Sequence, residues 1–183
     1  MKIHLGCWHR YIPDWVHVDL CDMEHIDYKT DISDLSCFDD NVADIIYSSH
    51  SLEYFDRLEV VDLLSEWRRV LKTGATLRLS VPDFKKLIQV YEQTDDLEKV
   101  VGPLYGRMEI DTENGKKLLY HKTVWDEKKL TELLENNGFK NVRLWDWRNT
   151  EHADVDDHSQ AYFPYMDKEN GLMISVNIEA DKS

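Results

Sequence analysis

Imidazoles are the groups in this chain best suited to moving protons near neutral pH, because an unperturbed histidine titrates close to 6.5. Two of the eight histidines have pattern around them. His50 lies in "YSSHSLEYF", at the end of an apolar, β-branched run, with Glu53 three residues on. If that segment turns as a helix, the carboxylate falls on the ring's side and orients it. His121 lies in "YHKTVWDE", just ahead of a helical pattern. Each is a candidate general base. The plainer role for either is a ring that hydrogen-bonds main chain at an element junction.

A third group, "TEHADVDDHSQAYFP", crowds Glu151, His152, Asp154, Asp156, Asp157 and His158 into one stretch. Such donors can hold zinc or a hard cation. Their spacing fits no named site and charged loops are usually solvated, so no metal is assigned. Two further acids follow apolar runs. In "KIHLGCWHRYIPDWVHVDL", residues 2–20, one run meets Gly6 and the next meets Asp19. In "TDISDL", Asp31 ends a third. A strand that meets glycine, then a strand that meets an acid, is how a nucleotide-binding edge begins. A turn-forming aspartate is the simpler alternative at both acids.

These residues need a scaffold to bring them together. Strand-like runs are predicted over Lys2–Leu5, Val16–Leu20, Ile26–Thr30, Ala43–Ser48, Thr76–Val81, Val142–Trp147 and Leu172–Glu179. Leu58, Val61, Leu64, Trp67, Val70 and Leu71 recur at helical spacing, and Gly74 follows as a stop. A second helix is capped by Asp126, carries Leu130, Leu133 and Leu134, and ends at Gly138. A weaker one covers Phe84–Tyr91. Strands interleaved with helices predict an α/β sheet, partly parallel. The first three strands are joined by links of about ten residues or fewer, short for the ~10–12 of a helical crossover.

The 183 residues suit one domain, 1–183, with a real core. No repeat, linker, secretory leader or membrane-length apolar run is read in them. Three cysteines without metal spacing predict a reduced, cytoplasmic protein. A net charge of −14 repels phosphate backbones and argues against a nucleic-acid partner. The absence of a Gly-x-Ser-x-Gly elbow argues against a hydrolase.

In order, "IHLGC", "VHVDL", "TDISDL", "ADIIYSSHSLEYF", "EWRRVLKTGATLRLSVPDF", "LYGR", "YHKTVWDEKKLTELLENNGF" and "LMISVNIEA" resemble the class I S-adenosylmethionine-dependent methyltransferases. The likeness is strongest to their type 11 branch and its compact group often associated with bacterial surface-sugar pathways. It spans nearly the whole chain and is most specific from Asp44 to Asp83. It implies a Rossmann-like three-layer α/β sandwich, mostly parallel, with a C-terminal antiparallel hairpin and with helices after the first strands reduced or absent. The implied cofactor is S-adenosylmethionine and the implied reaction is methyl transfer to a small molecule, a sugar or nucleotide-sugar. Carried onto this chain, the resemblance puts Gly6, Cys7 and Trp8 in the cofactor loop and Asp19 on the ribose hydroxyls. Asp31 and Ile32 fall at the adenine, and Ser48, Ser49 and His50 beneath the sulfonium. His50 and His121 become the catalytic candidates.

The chain departs from the family where Gly6-Cys7-Trp8 puts an indole in place of a second glycine. There is also no room for a helix after Gly6, whose N-terminal N–H groups would serve the cofactor's carboxylate. The competing reading is a non-catalytic binding or interaction module, and it gains if the Trp8 indole occupies the cofactor cleft. The missing helices leave one sheet face to be covered. The two covers expected are the aromatic connection from Arg148 to Gly171 and, slightly favoured, a homodimer.

Overall fold

The computed structural model describes residues 1–112 and 115–183. Its strands are β1 (Lys2–Leu5), β2 (Val16–Asp19), β3 (Tyr28–Lys29), β4 (Ala43–Ser49) and β5 (Leu71–Pro82), then β6 (Arg107–Thr112), β7 (Gly115–Tyr120), β8 (Phe139–Leu144), β9 (Tyr162–Phe163), β10 (Leu172–Met173) and β11 (Ser175–Lys182). Its helices are α1 (Glu59–Val70), α2 (Phe84–Thr94), α3 (Glu98–Tyr105) and α4 (Glu127–Asn136). Seven strands make one sheet in the order β3-β2-β1-β4-β5-β11-β8. The first five run parallel, and β11 enters antiparallel between β5 and β8. The Rossmann-like expectation holds. The antiparallel pair β8–β11 is joined by a long excursion over residues 145–174 that itself forms β9–β10.

Local chemistry explains the helices. Asp56 accepts from the N–H groups of Leu58 and Glu59 while Glu59 accepts from that of Asp56, a reciprocal cap that starts α1. Asp83 and Asp126 cap α2 and α4 through the N–H groups of Lys85 and Lys129. Leu63, Leu64 and Trp67 of α1 and Leu130 and Leu134 of α4 bury one face of the sheet against Ile3, Leu5 and Val18. Where a helix between β3 and β4 would lie, coil residues Ile32, Leu35 and Phe38 fill the same core.

The opposite face is the one without helices, and it differs from the sequence expectation. Ile3, Leu5 and Val18 turn toward the helical layer, so the strands present His4, His17 and Tyr47 on the other side. Ile12 and Trp15, from the link after Gly6, pack there with Tyr47, joined by Trp145 and Val155. His152 stacks on Tyr47 with ring centroids 4.3 Å apart. The Tyr47 hydroxyl donates to the buried Asp157, and the Trp145 indole donates to the Leu79 carbonyl at 3.0 Å. The chain covers its own bare face, so the argument for a dimer, which rested on that face standing open, falls away.

The β6–β7 hairpin stands outside the main sheet. It follows α3 at Gly106, whose φ is +40° and where a Cβ would lie 2.2 Å from the His121 Nε2. Only glycine lets the chain pass that ring.

Candidate active site

The carboxyl ends of β1, β2 and β4 open into a cavity of about 1410 Å³. Gly6, Trp8, Asp19, Asp31, Ile32, Ser49, His50 and His121 all line it. Cys7 and Ser48 do not. The Cys7 thiol is packed under the Val18 carbonyl at 3.9 Å, where burial pushes its pKa up, and the Ser48 hydroxyl is enclosed in the sheet with no partner. Those two positions belong to the core rather than to the cavity wall.

Gly6 sits at φ +65°, and a Cβ there would come within 2.2 Å of the Ser51 hydroxyl. Gly6 lines the cavity at the end of β1, and the Ser51 side chain holds the space its Cβ would need. Asp19 is buried at the end of β2 and accepts from the N–H groups of Trp8 (2.7 Å) and Cys21 (2.8 Å). Its carboxylate holds the first loop in shape as well as facing the cavity. Asp31 accepts from the Ser33 N–H and hydroxyl, an Asx turn that points it from the end of the third-strand segment. Ile32 packs beside it. Trp8 lines one wall, with the Arg10 guanidinium 5.6 Å from its ring centroid. The indole leaves the cavity open.

The donor set fits an adenosine-bearing cofactor. Gly6 brings main chain to the wall, Asp19 ends β2, Asp31 follows β3, and the Ser49 hydroxyl has no partner.

At the other side of the opening, three titratable groups converge. Glu53 is 1% exposed, and neither of its carboxyl oxygens has a hydrogen-bond partner. One of them lies 3.6 Å from His50 Nδ1 and 3.7 Å from His121 Nε2. Partner chemistry fixes both rings. The Ser175 hydroxyl donates to the His158 carbonyl (2.7 Å), so it accepts from His50 Nε2–H (2.8 Å) and leaves His50 Nδ1 bare. His121 Nδ1 meets the Pro103 carbonyl at 3.0 Å and must carry its hydrogen, so its Nε2 is bare. Two bare nitrogens therefore face one carboxyl. Burial raises the Glu53 pKa to about 8 and lowers both histidines, which fits a neutral acid between neutral rings. His50 takes a φ of +52°, a conformation uncommon outside glycine and frequent at functional sites.

Sequence reasoning missed several wall residues. His158 lines the cavity with its ring centroid 4.9 Å from that of His50, although its setting read as a solvated acidic stretch. The rest of that stretch disperses. Glu151 pairs with Lys2, His152 enters the covered face, Asp156 pairs with Lys168 and Asp157 holds Tyr47. Tyr120, Met108, Leu118 and Arg107 reach the cavity from the β6–β7 hairpin, which the sequence reading did not separate into strands.

Residues 14–79, from just before β2 to near the end of β5, match the family described as a methyltransferase domain. A search of curated proteins finds no match to the sequence. Among solved structures, an S-adenosylmethionine-dependent methyltransferase from Archaeoglobus fulgidus is similar with a TM-score of 0.59 at 16% identity, over 99% of this chain and 85% of that one. One from Methanosarcina mazei is similar with a TM-score of 0.57 at 17% identity, over 99% and 91%. In fold the chain is thus similar to S-adenosylmethionine-dependent methyltransferases, and its residues 14–79 match the methyltransferase-domain family.

Proposed function

We propose that the chain works as a single methyltransferase-like domain, in a cytoplasmic setting, and transfers a methyl group to a small-molecule acceptor, a sugar or nucleotide-sugar. The observation that carries this reading is that His50 and His121 line the same cavity as Gly6, Asp19 and Asp31 and both face the buried Glu53 carboxyl behind its wall. When bound, S-adenosylmethionine supplies an electrophilic methyl group. Asp19 would accept from its ribose hydroxyls, Asp31 from its adenine amino group, and Ile32 would pack on the ring.

The chain's own contribution to the reaction is positioning and proton handling. His50 Nδ1, Glu53 and His121 Nε2 are three sites that share one mobile proton at rest. A ring that turned its bare nitrogen from Glu53 toward the cavity could take a second from an acceptor hydroxyl, leaving the three groups with a net charge of +1. Tyr54, Tyr120 and Tyr162 offer aromatic faces to a sugar, and Arg107 and Lys117 on the hairpin suit a diphosphate. The binding-module alternative gains if the Trp8 indole fills the cleft, and the about 1410 Å³ open beside it supports the catalytic reading.

Isothermal titration with S-adenosylmethionine and S-adenosylhomocysteine tests the cofactor, and mass spectrometry for S-adenosylhomocysteine after incubation with a nucleotide-sugar panel tests the acceptor. Binding followed by acceptor-dependent turnover is expected. No binding of either compound would refute the reading outright.

A further inference from the structure

The loop after Gly6 poses an electrostatic problem. It forms no helix, so it lacks the N-terminal N–H groups that attract an anion, and the Trp8 N–H is already given to Asp19. The same loop supplies a cation instead. Arg10 lines the cavity with Gly6 and Trp8, its guanidinium lying over the Trp8 indole at 5.6 Å. In a chain with 36 acids against 22 Lys and Arg, its polar partner is a main-chain carbonyl, that of Asp156 at 3.4 Å, and no carboxylate among the described residues. The nearby Asp156 side chain is taken by Lys168 at 2.9 Å. By contrast Lys122, another cation on the wall, is held by Glu59 at 2.7 Å.

We infer that Arg10 is the carboxylate-binding residue of the cofactor site, replacing the absent helix N-terminus with a guanidinium that receives the amino-acid end of S-adenosylmethionine. A guanidinium offers paired donors in the geometry of a carboxylate, and with Nε on the Asp156 carbonyl and Cζ over the Trp8 ring the two Nη groups stay free. This gives the indole at the second-glycine position a role: it is the platform for the arginine. The charge also reaches the reacting end of the cavity, since Arg10 disfavours the protonated forms of His50 and His158. The inference rests on the cofactor reading above.

The test compares two ligands that share the adenosine and differ at the amino-acid end. S-adenosylhomocysteine carries the carboxylate, and 5′-methylthioadenosine does not. Titration calorimetry on the full chain is expected to give an affinity for S-adenosylhomocysteine that falls by about tenfold or more in Arg10→Gln, as for the loss of a charge-assisted pair. The affinity for 5′-methylthioadenosine stays unchanged, and Arg10→Lys falls between because it keeps the charge without the fork. Equal losses for both ligands, or no loss for either, would overturn the inference and leave the cofactor reading standing. If the unaltered protein binds neither ligand, the cofactor reading itself fails and takes this inference with it. Thermal melts of both variants separate a folding defect from lost recognition, and Arg10→Lys carries the test if Arg10→Gln does not fold.

Discussion

Glu53 has two carboxyl oxygens that meet no donor, in a site that excludes water, and its titration follows from that. Its pKa is about 8 in the fold against 4.5 for a free side chain. The folded chain keeps a proton that the unfolded chain releases. Its stabilising contribution is therefore complete below pH 4.5 and is lost as pH rises through about 8. Glu53→Gln keeps the shape and removes the titration. Thermal melts should place the variant above the parent by a few kcal/mol at pH 8–9 and close to it at pH 5. Parallel pH dependences in the two proteins would show that Glu53 is not held neutral. In turnover, His50→Gln should lose about two orders of magnitude with S-adenosylhomocysteine affinity intact. An unchanged rate would return that ring to a structural role.

Asp19 tells a different story at the same scale. Read as a strand-terminal acid alone, it predicts lost cofactor affinity and unchanged stability on Asp19→Ala. Its bonds to the Trp8 and Cys21 N–H groups add a second cost, because two donors of a half-buried loop would lose their acceptor. Urea unfolding should show a loss of roughly 2 kcal/mol, and titration a loss of at least tenfold in affinity. A drop in affinity alone would mean the loop keeps its shape without the carboxylate.

At the scale of elements, the β6–β7 hairpin leaves the body between Gly106 and His121, with Arg107 and Tyr120 as its first pair and with Ile110 buried at the cavity wall. Replacing residues 107–120 by a two-glycine link should leave S-adenosylhomocysteine binding and the melting temperature nearly unchanged while abolishing turnover of a sugar acceptor. Loss of cofactor binding in that deletion would show that the hairpin belongs to the cofactor half. The sequence made some of this visible and hid the rest for physical reasons. Strands β1, β2, β4 and β5 and helices α1 and α4 announce themselves through period and caps, because each buries one face in a shared core. The hairpin buries little of its surface, so "RMEIDT" and "GKKLLY" carry no clean alternation. α3 contains Pro103 and a glycine, which mask its helical period. Glu53 was legible as the partner of His50, but its contact with His121 joins residues from distant parts of the chain, which no local pattern encodes.

At the scale of the molecule, a parallel sheet needs cover on both faces, and this one covers its helix-free face with rings. His4, His17 and His152 are each about 2% exposed or less, packed with Tyr47, Trp15 and Trp145. That cover closes this face of the sheet to association, and sedimentation equilibrium at micromolar concentration should return a monomer. A stable two-fold dimer would mean that a different surface pairs. The rings also make the fold sensitive to acid. Burial lowers the pKa of all three histidines below 6.5, most of all His4, whose Nδ1 has no partner. The folded chain keeps them neutral, while the unfolded chain takes up protons below 6.5. Their contribution is present above pH 6.5 and fades as pH falls, by up to about 1.4 kcal/mol per unit for each group until its own folded pKa is reached. Glu53 changes in the opposite sense over the same range, so the parent's own curve mixes the two effects. His4→Phe isolates the covered face, since it keeps an aromatic ring against Tyr47, removes one protonation site and leaves Glu53 untouched. Melting temperatures at pH 7 and pH 5 should fall less in His4→Phe than in the parent. An equal or steeper fall would show that the covered face does not carry the acid sensitivity.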